Sequence, residues 1–400
     1  MAKSKKSKAS AAKAGQNPSH PSYPADNVCP PDELPEDLYR ILSPEGELVG
    51  EPLLNDGEIL DLHRAMVQQR LIDDRMLTLQ RQGRIGFYGA CLGQEASVFG
   101  SAAALEATDW IVPALREAGA LLYRGFPLTD YFNQLLGNSA DITQGRQMPC
   151  HPPGHDFHYI TMSSVIANQI PQANGLALAG QLKDDGRVTL CHMGDGATSE
   201  GDFHVGLNVA GVKQLPIVFL CQNNQWSISV PVGRQTAAAT MHSKAAGYDM
   251  PGFRVDGNDL LAVHRVTSEA VARARAGEGP SFIECLTYRL GAHTTSDDPS
   301  RYRDEAVTER WWALDPLART RKYLVAKGLW SDEQEQAQQD ELDTLIRDTW
   351  KQVELIPPPE LRSIFGDVFA QPTPQLIEQA DSLVANYAWA KAKGFERKTH

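Results

Sequence analysis

Two short clusters carry residue types able to do chemistry. Gly194-Asp195-Gly196 follows the apolar run Val188-Thr189-Leu190-Cys191, and Asn223-Asn224 follows Pro216-Ile217-Val218-Phe219-Leu220. Asp195 and Asn224 stand 29 residues apart, the length of one strand–helix–strand step. On adjacent parallel strands both side chains reach one carboxyl edge, where open α/β sheets bind ligands. A carboxylate and an amide oxygen are hard donors suited to Mg²⁺, which prefers octahedral oxygen at ~2.1 Å and shares its shell with a ligand's phosphates. The glycines flanking Asp195 let a diphosphate approach the backbone N–H groups at a helix start. Gly, Asp and Asn also fill ordinary strand-end turns, but two such turns one step apart favour the diphosphate. A plain dinucleotide-binding turn would need Gly-x-Gly-x-x-Gly, and Gly194-Asp195-Gly196-Ala197-Thr198-Ser199 lacks the third glycine.

Two single residues add to this. Arg116, in Leu115-Arg116-Glu117-Ala118-Gly119, offers a guanidinium suited to bidentate phosphate contact; by itself it reads rather as a surface arginine at a helix start. His293 sits in the polar run 288–303 after the last strand, in a loop at the ligand edge. An imidazole there is neutral or cationic near pH 7, useful beside a diphosphate and a developing negative charge; by itself it reads rather as a surface loop histidine. His204 reads as a residue that caps or packs in its helix. His151, His155 and His158 form a loose cluster with no carboxylate or cysteine pattern to complete a metal site, and read as a polar loop. The six cysteines stand alone, several in apolar runs, and read as buried thiols of a reducing compartment.

The elements that position these groups follow from pattern. Asn55 with Glu58 signals a helix start, and Ile59, Leu62, Met66, Ile72, Met76 and Leu79 repeat at helical spacing until Gly83. Further helices are expected across 92–106, 127–137, 168–183, 200–213 and 259–276. Strands are expected at 188–191, 216–220, 253–255 and 281–286. Apolar strands separated by helices imply an α/β fold with a central parallel sheet covered on both faces. The 400 residues carry 42% hydrophobic residues and a net charge of −12, enough for a large core and against nucleic acid as a partner. No apolar run approaches a membrane span. Residues 1–25 hold five lysines and no acid and read as a disordered basic tail, leaving −17 on the rest. Residues 26–55 read as an extended arm, 56–305 as the ligand-binding α/β unit, and 306–400 as C-terminal helices broken at Pro357-Pro358-Pro359.

The motifs in order then resemble a family. Gly194-Asp195-Gly196-Ala197-Thr198-Ser199-Glu200-Gly201-Asp202-Phe203-His204, Asn223-Asn224-Gln225-Trp226-Ser227-Ile228-Ser229 and Arg254-Val255-Asp256-Gly257-Asn258-Asp259 are similar to the α subunit of the thiamine-diphosphate-dependent decarboxylating component of 2-oxo acid dehydrogenase complexes. The resemblance implies the thiamine-diphosphate-binding fold. It implies Mg²⁺ on Asp195, Asn224 and the main-chain carbonyl of Trp226, with the diphosphate at Arg116, Gly196, Ala197 and His293. Leu115 stands where the family commonly has Tyr, and Gln222 where it often has a basic residue; both departures remove polar contacts to the phosphates. Ser164 and Ile166 resemble the segment that meets the aminopyrimidine. Ser163, Val165, Asn168 and Gln169 match positions that hold potassium in mitochondrial relatives, with Asn168 replacing the usual Thr. The loop Thr295-Ser296-Asp297-Asp298-Pro299-Ser300 looks like the branched-chain type, whereas a pyruvate-type or broad-range subunit is the alternative. Phe87 and Tyr88 read equally as walls of an acyl pocket or as core aromatics. No glutamate suited to activating the aminopyrimidine is found, so the resemblance implies a β subunit that supplies it in an α₂β₂ heterotetramer, and a dihydrolipoyl acyltransferase core as acyl acceptor. A cytoplasmic, bacterial-type location fits better than a mitochondrial matrix, because the basic head lacks arginine. Thr294 aligns with the phosphoacceptor of mitochondrial relatives, and no phosphorylation is expected of it. A non-catalytic protein that kept the fold is the reading from another class.

Overall fold

A computed structural model of the chain describes residues 28–36 and 38–395. The expected basic tail lies outside the described residues. Eleven α-helices and seven strands are found among them. In chain order these are α1 (Asp56–Arg81), α2 (Glu95–Ala103), β1 (Trp110–Val112), α3 (Ala118–Tyr123), α4 (Leu128–Leu136), α5 (Gln169–Lys183), β2 (Thr189–Gly194), α6 (Gly201–Lys213), β3 (Ile217–Asn223), β4 (Trp226–Ser227), β5 (Val230–Pro231), β6 (Gly252–Asp256), α7 (Leu260–Arg275), β7 (Ser281–Leu286), α8 (Glu305–Trp311), α9 (Pro316–Ala326), α10 (Asp332–Val353) and α11 (Pro374–Ala392).

Five strands form one parallel sheet in the order β1-β2-β3-β7-β6. Successive strand side chains point to opposite faces, and here both faces are apolar. Cys191, Met193, Phe219, Cys221 and Phe282 pack with Ile170 and Ala173 of α5 and with Phe203 and Leu207 of α6. Leu190, Val218, Leu220, Ile283 and Cys285 pack with Leu261, Val263 and Val266 of α7. The sheet is therefore covered on both sides, as expected. Strands β2 and β3 run further than their apolar cores suggest: Gly194 and Asn223 are themselves the last ladder residues, because each neighbouring strand supplies backbone partners beyond the apolar stretch. The three-residue β1 carries too little pattern to read from sequence; its register with Thr189–Cys191 places it.

Helix α1 begins on the expected capping box, with Glu58 N–H donating to Asn55 Oδ1 (3.0 Å) and Asn55 N–H to Glu58 Oε2 (2.8 Å). All six of its expected core residues are buried. Each stabilises the fold by roughly 1.5–3 kcal/mol relative to exposure. Helices α5 and α6 lie so close that a Cβ on Gly206 would sit 2.3 Å from Ile170 Cγ2. The arm runs against the sheet edge: Tyr39 bridges Val255, and Asp259 Oδ2 accepts the N–H groups of Ile41 and Leu42, both at 2.7 Å. Arg319 of α9 adds bonds to the carbonyl of Ser43 (3.1 Å) and to Asp256 (2.9 Å). No helix among the described residues is long and apolar enough to cross a membrane. Five of the six free cysteines are buried; Cys29, on the arm, is only partly so.

Candidate active site

The parallel register sets Gly194 opposite Gln222, so the ends of β2 and β3 open on one edge. Asp195 begins the short 3₁₀ turn Asp195–Ser199, and Asn224 lies one residue past β3. Asp195 is buried; its Oδ2 accepts from Gln235 Nε2 (2.7 Å), while Oδ1 is buried without a partner. Burial pushes this carboxyl up to about 6, against the opposing pull of the Gln235 bond and the Arg289 charge. Asn224 Nδ2 donates to Gln94 Oε1 (3.0 Å), and its Oδ1 accepts the Trp226 N–H (3.1 Å). The carbonyl of Trp226 accepts from Arg289 Nη1 (3.3 Å). The hairpin β4–β5 closes over the turn: a Cβ on Gly196 would meet Ser227 Oγ at 2.4 Å.

These groups border a cavity of about 390 Å³. On its far side Arg116 is buried, donating to the carbonyls of Ala90 and of His293 (2.8 Å for the latter). Its Nη2 also lies 3.4 Å from His293 Nδ1. A guanidinium only donates, so Nδ1 is the acceptor and the imidazole carries its proton on Nε2. Burial and the neighbouring Arg116 and Arg289 hold His293 down at about 4, which keeps it neutral at pH 7. Asp297 fixes the loop by accepting the His293 N–H (2.7 Å) and the Tyr302 hydroxyl (2.5 Å). Glu117 Oε2 accepts three successive N–H groups, of Ala114, Leu115 and Arg116, at 2.8–3.0 Å, and Oε1 accepts from Gln222. Ile228 and Ala167, both on the cavity wall, have φ of +52° and +69°. Such backbone costs of order 1–3 kcal/mol per residue and concentrates at functional sites.

The cavity brings together Asp195, Gly196, Ala197, Gln222, Asn224 and Trp226 from the ends of β2 and β3, Leu115 and Arg116 from the segment before α3, Gln169 from the start of α5, and Ser163, Ser164, Ile166 and His293 from the loops. Val165 and Asn168 do not line it: Val165 is exposed, and Asn168 Nδ2 turns to Ser163 Oγ (3.1 Å). Phe87 lines the cavity beside Met148, whereas Tyr88 is buried with its hydroxyl on Asp73 (2.7 Å). Of the two readings open for this pair, Phe87 is a cavity-lining residue and Tyr88 a core aromatic. His155 and His158 flank Trp110, and His151 stands apart. His151 Nδ1 lies 2.9 Å from the Pro149 carbonyl, so its Nε2 accepts from Ser164 Oγ (2.7 Å). His204 does not cap α6; it bonds the Tyr248 hydroxyl (2.5 Å). Sequence reasoning gives no role to Glu117, Gln94, Gln235 or His151; the bonds of Glu117 to Gln222, of Gln94 to Asn224 and of Gln235 to Asp195 join segments far apart along the chain. Only Glu117 had a signal, an acid directly beside Arg116.

A buried carboxylate with one free oxygen, an amide oxygen and a buried guanidinium around one cavity can take a divalent cation and a diphosphate. Comparison with known proteins bears on whose cavity this is. Residues 63–362 match the model of the dehydrogenase E1 component. The chain is 46% identical over 330 residues to the 3-methyl-2-oxobutanoate dehydrogenase subunit alpha of Mycobacterium tuberculosis, covering 82% of this chain and 87% of that one. It is 40% identical over 350 residues to the mitochondrial 2-oxoisovalerate dehydrogenase subunit alpha of Homo sapiens, covering 86% and 79%. The corresponding subunit of Dictyostelium discoideum is 39% identical over 351 residues, covering 86% and 80%. With three quarters of its length inside the family's model, the chain belongs to the dehydrogenase E1 component family.

Proposed function

We propose that this chain is the α subunit of a branched-chain 2-oxo acid dehydrogenase, using Mg²⁺ and thiamine diphosphate in the cavity at the sheet's carboxyl edge. The observation that carries this is Asp195 Oδ1, a buried acceptor without a partner beside Asn224. The relatives' names support the substrate, since 2-oxoisovalerate and 3-methyl-2-oxobutanoate are one compound. The family is thiamine-diphosphate dependent. Residues 56–305 would form the cofactor unit, with the arm and the helices of 306–400 as appendages.

When bound, thiamine diphosphate supplies the electron sink for loss of CO₂ from a 2-oxo acid. This chain's part is to bind, orient and exclude water. Asp195 and Asn224 would hold Mg²⁺ with the Trp226 carbonyl, which it shares with Arg289. The N–H groups of Gly196 and Ala197 would meet the diphosphate, as would the Arg116 N–H groups not spent on Ala90 and His293. Neutral His293 would present its Nε2–H as a hydrogen-bond donor to the cavity, which suits it to hold an oxygen and stabilise negative charge at the reacting centre. Ser164 and Ile166 would face the aminopyrimidine, with Ser164 oriented by His151. Phe87, Leu115 and Met148 give the cavity an apolar side on which a branched side chain would rest. The potassium ion implied at Ser163, Val165, Asn168 and Gln169 finds one waiting donor, the buried Asn168 Oδ1, and the reaction needs no step through it. A β subunit would supply the missing glutamate, and the acyl group would pass to lipoyl on the acyltransferase core.

The test is co-expression with a β subunit of the same family and assay of 2-oxo acids. We expect thiamine-diphosphate-dependent decarboxylation of 2-oxoisovalerate by the pair and none by this chain alone. A higher kcat/KM for pyruvate would assign the pyruvate type. Full cofactor affinity in Asp195→Ala would overturn the metal assignment.

A further inference from the structure

We infer that Gln235 is a positioning residue for Asp195, deciding which carboxylate oxygen is turned toward a divalent cation. The inference rests on the Mg²⁺–diphosphate reading of the cavity. Gln235 follows the short turn Val232–Arg234, beyond the β4–β5 hairpin. Its Nε2 donates to Asp195 Oδ2 (2.7 Å) and to the Val230 carbonyl (3.0 Å). Both partners only accept, so the amide cannot be turned round without setting oxygen against oxygen. Its Oε1 is thereby also fixed, buried and without a partner, 3.7 Å from where a Cβ on Gly196 would lie. The backbone is pinned as well. Gln235 N–H donates to Val232 O (3.0 Å), and its carbonyl accepts from Ser199 Oγ (3.1 Å), at the far end of the turn that Asp195 begins.

One residue therefore ties the hairpin to both ends of the Asp195 turn, by its side chain at Asp195 and by its carbonyl at Ser199. Because Oδ2 is held, Oδ1 is the oxygen left for a cation. Without Gln235 the carboxylate would lose its one side-chain partner, and the ion would have to fix its orientation on binding. Outer partners of this kind typically contribute 10–100-fold in metal affinity.

The experiment uses the complex assembled with its β subunit and thiamine diphosphate, titrated with Mn²⁺ and read by electron paramagnetic resonance of the free ion. Mn²⁺ suits the same oxygen donors as Mg²⁺. Gln235→Met and Gln235→Asn are compared with wild type and with Asp195→Asn. We expect both Gln235 variants to bind Mn²⁺ at least tenfold more weakly, with kcat at saturating Mg²⁺ falling less than threefold. If a Gln235 variant binds Mn²⁺ within twofold of wild type while Asp195→Asn does not bind, the inference falls and the metal reading stands. If Asp195→Asn also binds normally, the metal reading itself falls. A kcat loss as large as the affinity loss, or failure of both variants to assemble, makes Gln235 a folding residue and overturns the inference.

Discussion

Adding one methyl group at Gly196 should disturb the cavity's sheet-end edge in a way that a second substitution repairs. The added Cβ would lie 2.4 Å from Ser227 Oγ and 2.9 Å from Ser227 Cβ. Rotating the Ser227 side chain removes the first clash and leaves the second, since Cβ is fixed by the backbone of β4. The hairpin must then retreat by a few tenths of an ångström to about 1 Å, at a cost of about 1–3 kcal/mol. The residue before Ser227 is Trp226, whose N–H is bonded to Asn224 Oδ1, so the retreat pulls directly on the candidate metal site. If the strain is relieved there, Gly196→Ala weakens Mg²⁺–thiamine diphosphate binding by roughly 5- to 150-fold. Calorimetric titration of the assembled complex measures this. The double variant Gly196→Ala/Ser227→Gly lacks both clashing atoms and should recover binding to within about threefold of Ser227→Gly alone. Wild-type affinity in Gly196→Ala, or a double variant as weak as the single one, would refute the steric argument.

Three further perturbations follow from the same geometry. His293 is held at about 4 against a usual 6.5, so the unfolded chain takes up its proton first as pH falls; stability is therefore lost between about pH 6.5 and 4, and His293→Gln should flatten that slope in thermal melts. Gln222→Arg sets a cation against the buried carboxylate of Glu117 on the cavity wall and should tighten inorganic pyrophosphate binding about three- to tenfold by calorimetry. Phe87→Ala should change the kcat/KM ratio between short and branched 2-oxo acids, by about fourfold per methylene of lost contact, whereas Tyr88→Phe should lower the melting temperature through loss of its bond to Asp73 and leave that ratio unchanged.

What the sequence reveals here depends on how local the determining interaction is. The capping box of α1 is a four-residue event, and its residues are legible because Asn55 and Glu58 need only each other. The Asp195 and Asn224 pair spans 29 residues and is legible because parallel pairing converts that spacing into adjacency at one edge. Strand β1 is not legible, because three apolar residues have no period of their own and the hydrogen bonds that make them a strand come from Val188 onward. Asp73 is invisible for the same reason. It accepts from Gln69, Tyr88 and the Cys91 N–H, and nothing in the run Leu71-Ile72-Asp73-Asp74 marks one acid as buried and the next as not.

The acids around the cavity carry that point into the chemistry. An anionic cofactor should be repelled by a buried carboxylate, yet Glu117 stands on the cavity wall beside Arg116. Three successive backbone N–H groups and the Gln222 amide take up its lone pairs. Its charge is thus spent on fixing the 114–116 backbone, and with it the root of the Arg116 side chain. Arg116 in turn gives up N–H groups to the carbonyls of Ala90 and His293, which sets its guanidinium between two loops. The sequence shows which residues can donate to a phosphate. It does not show which acceptors hold those donors still, because each acceptor is chosen by the backbone of another segment. A chain of net charge −12 can offer a diphosphate a place through that division: a few cations whose direction is fixed, and acids whose charge is already engaged before a ligand arrives.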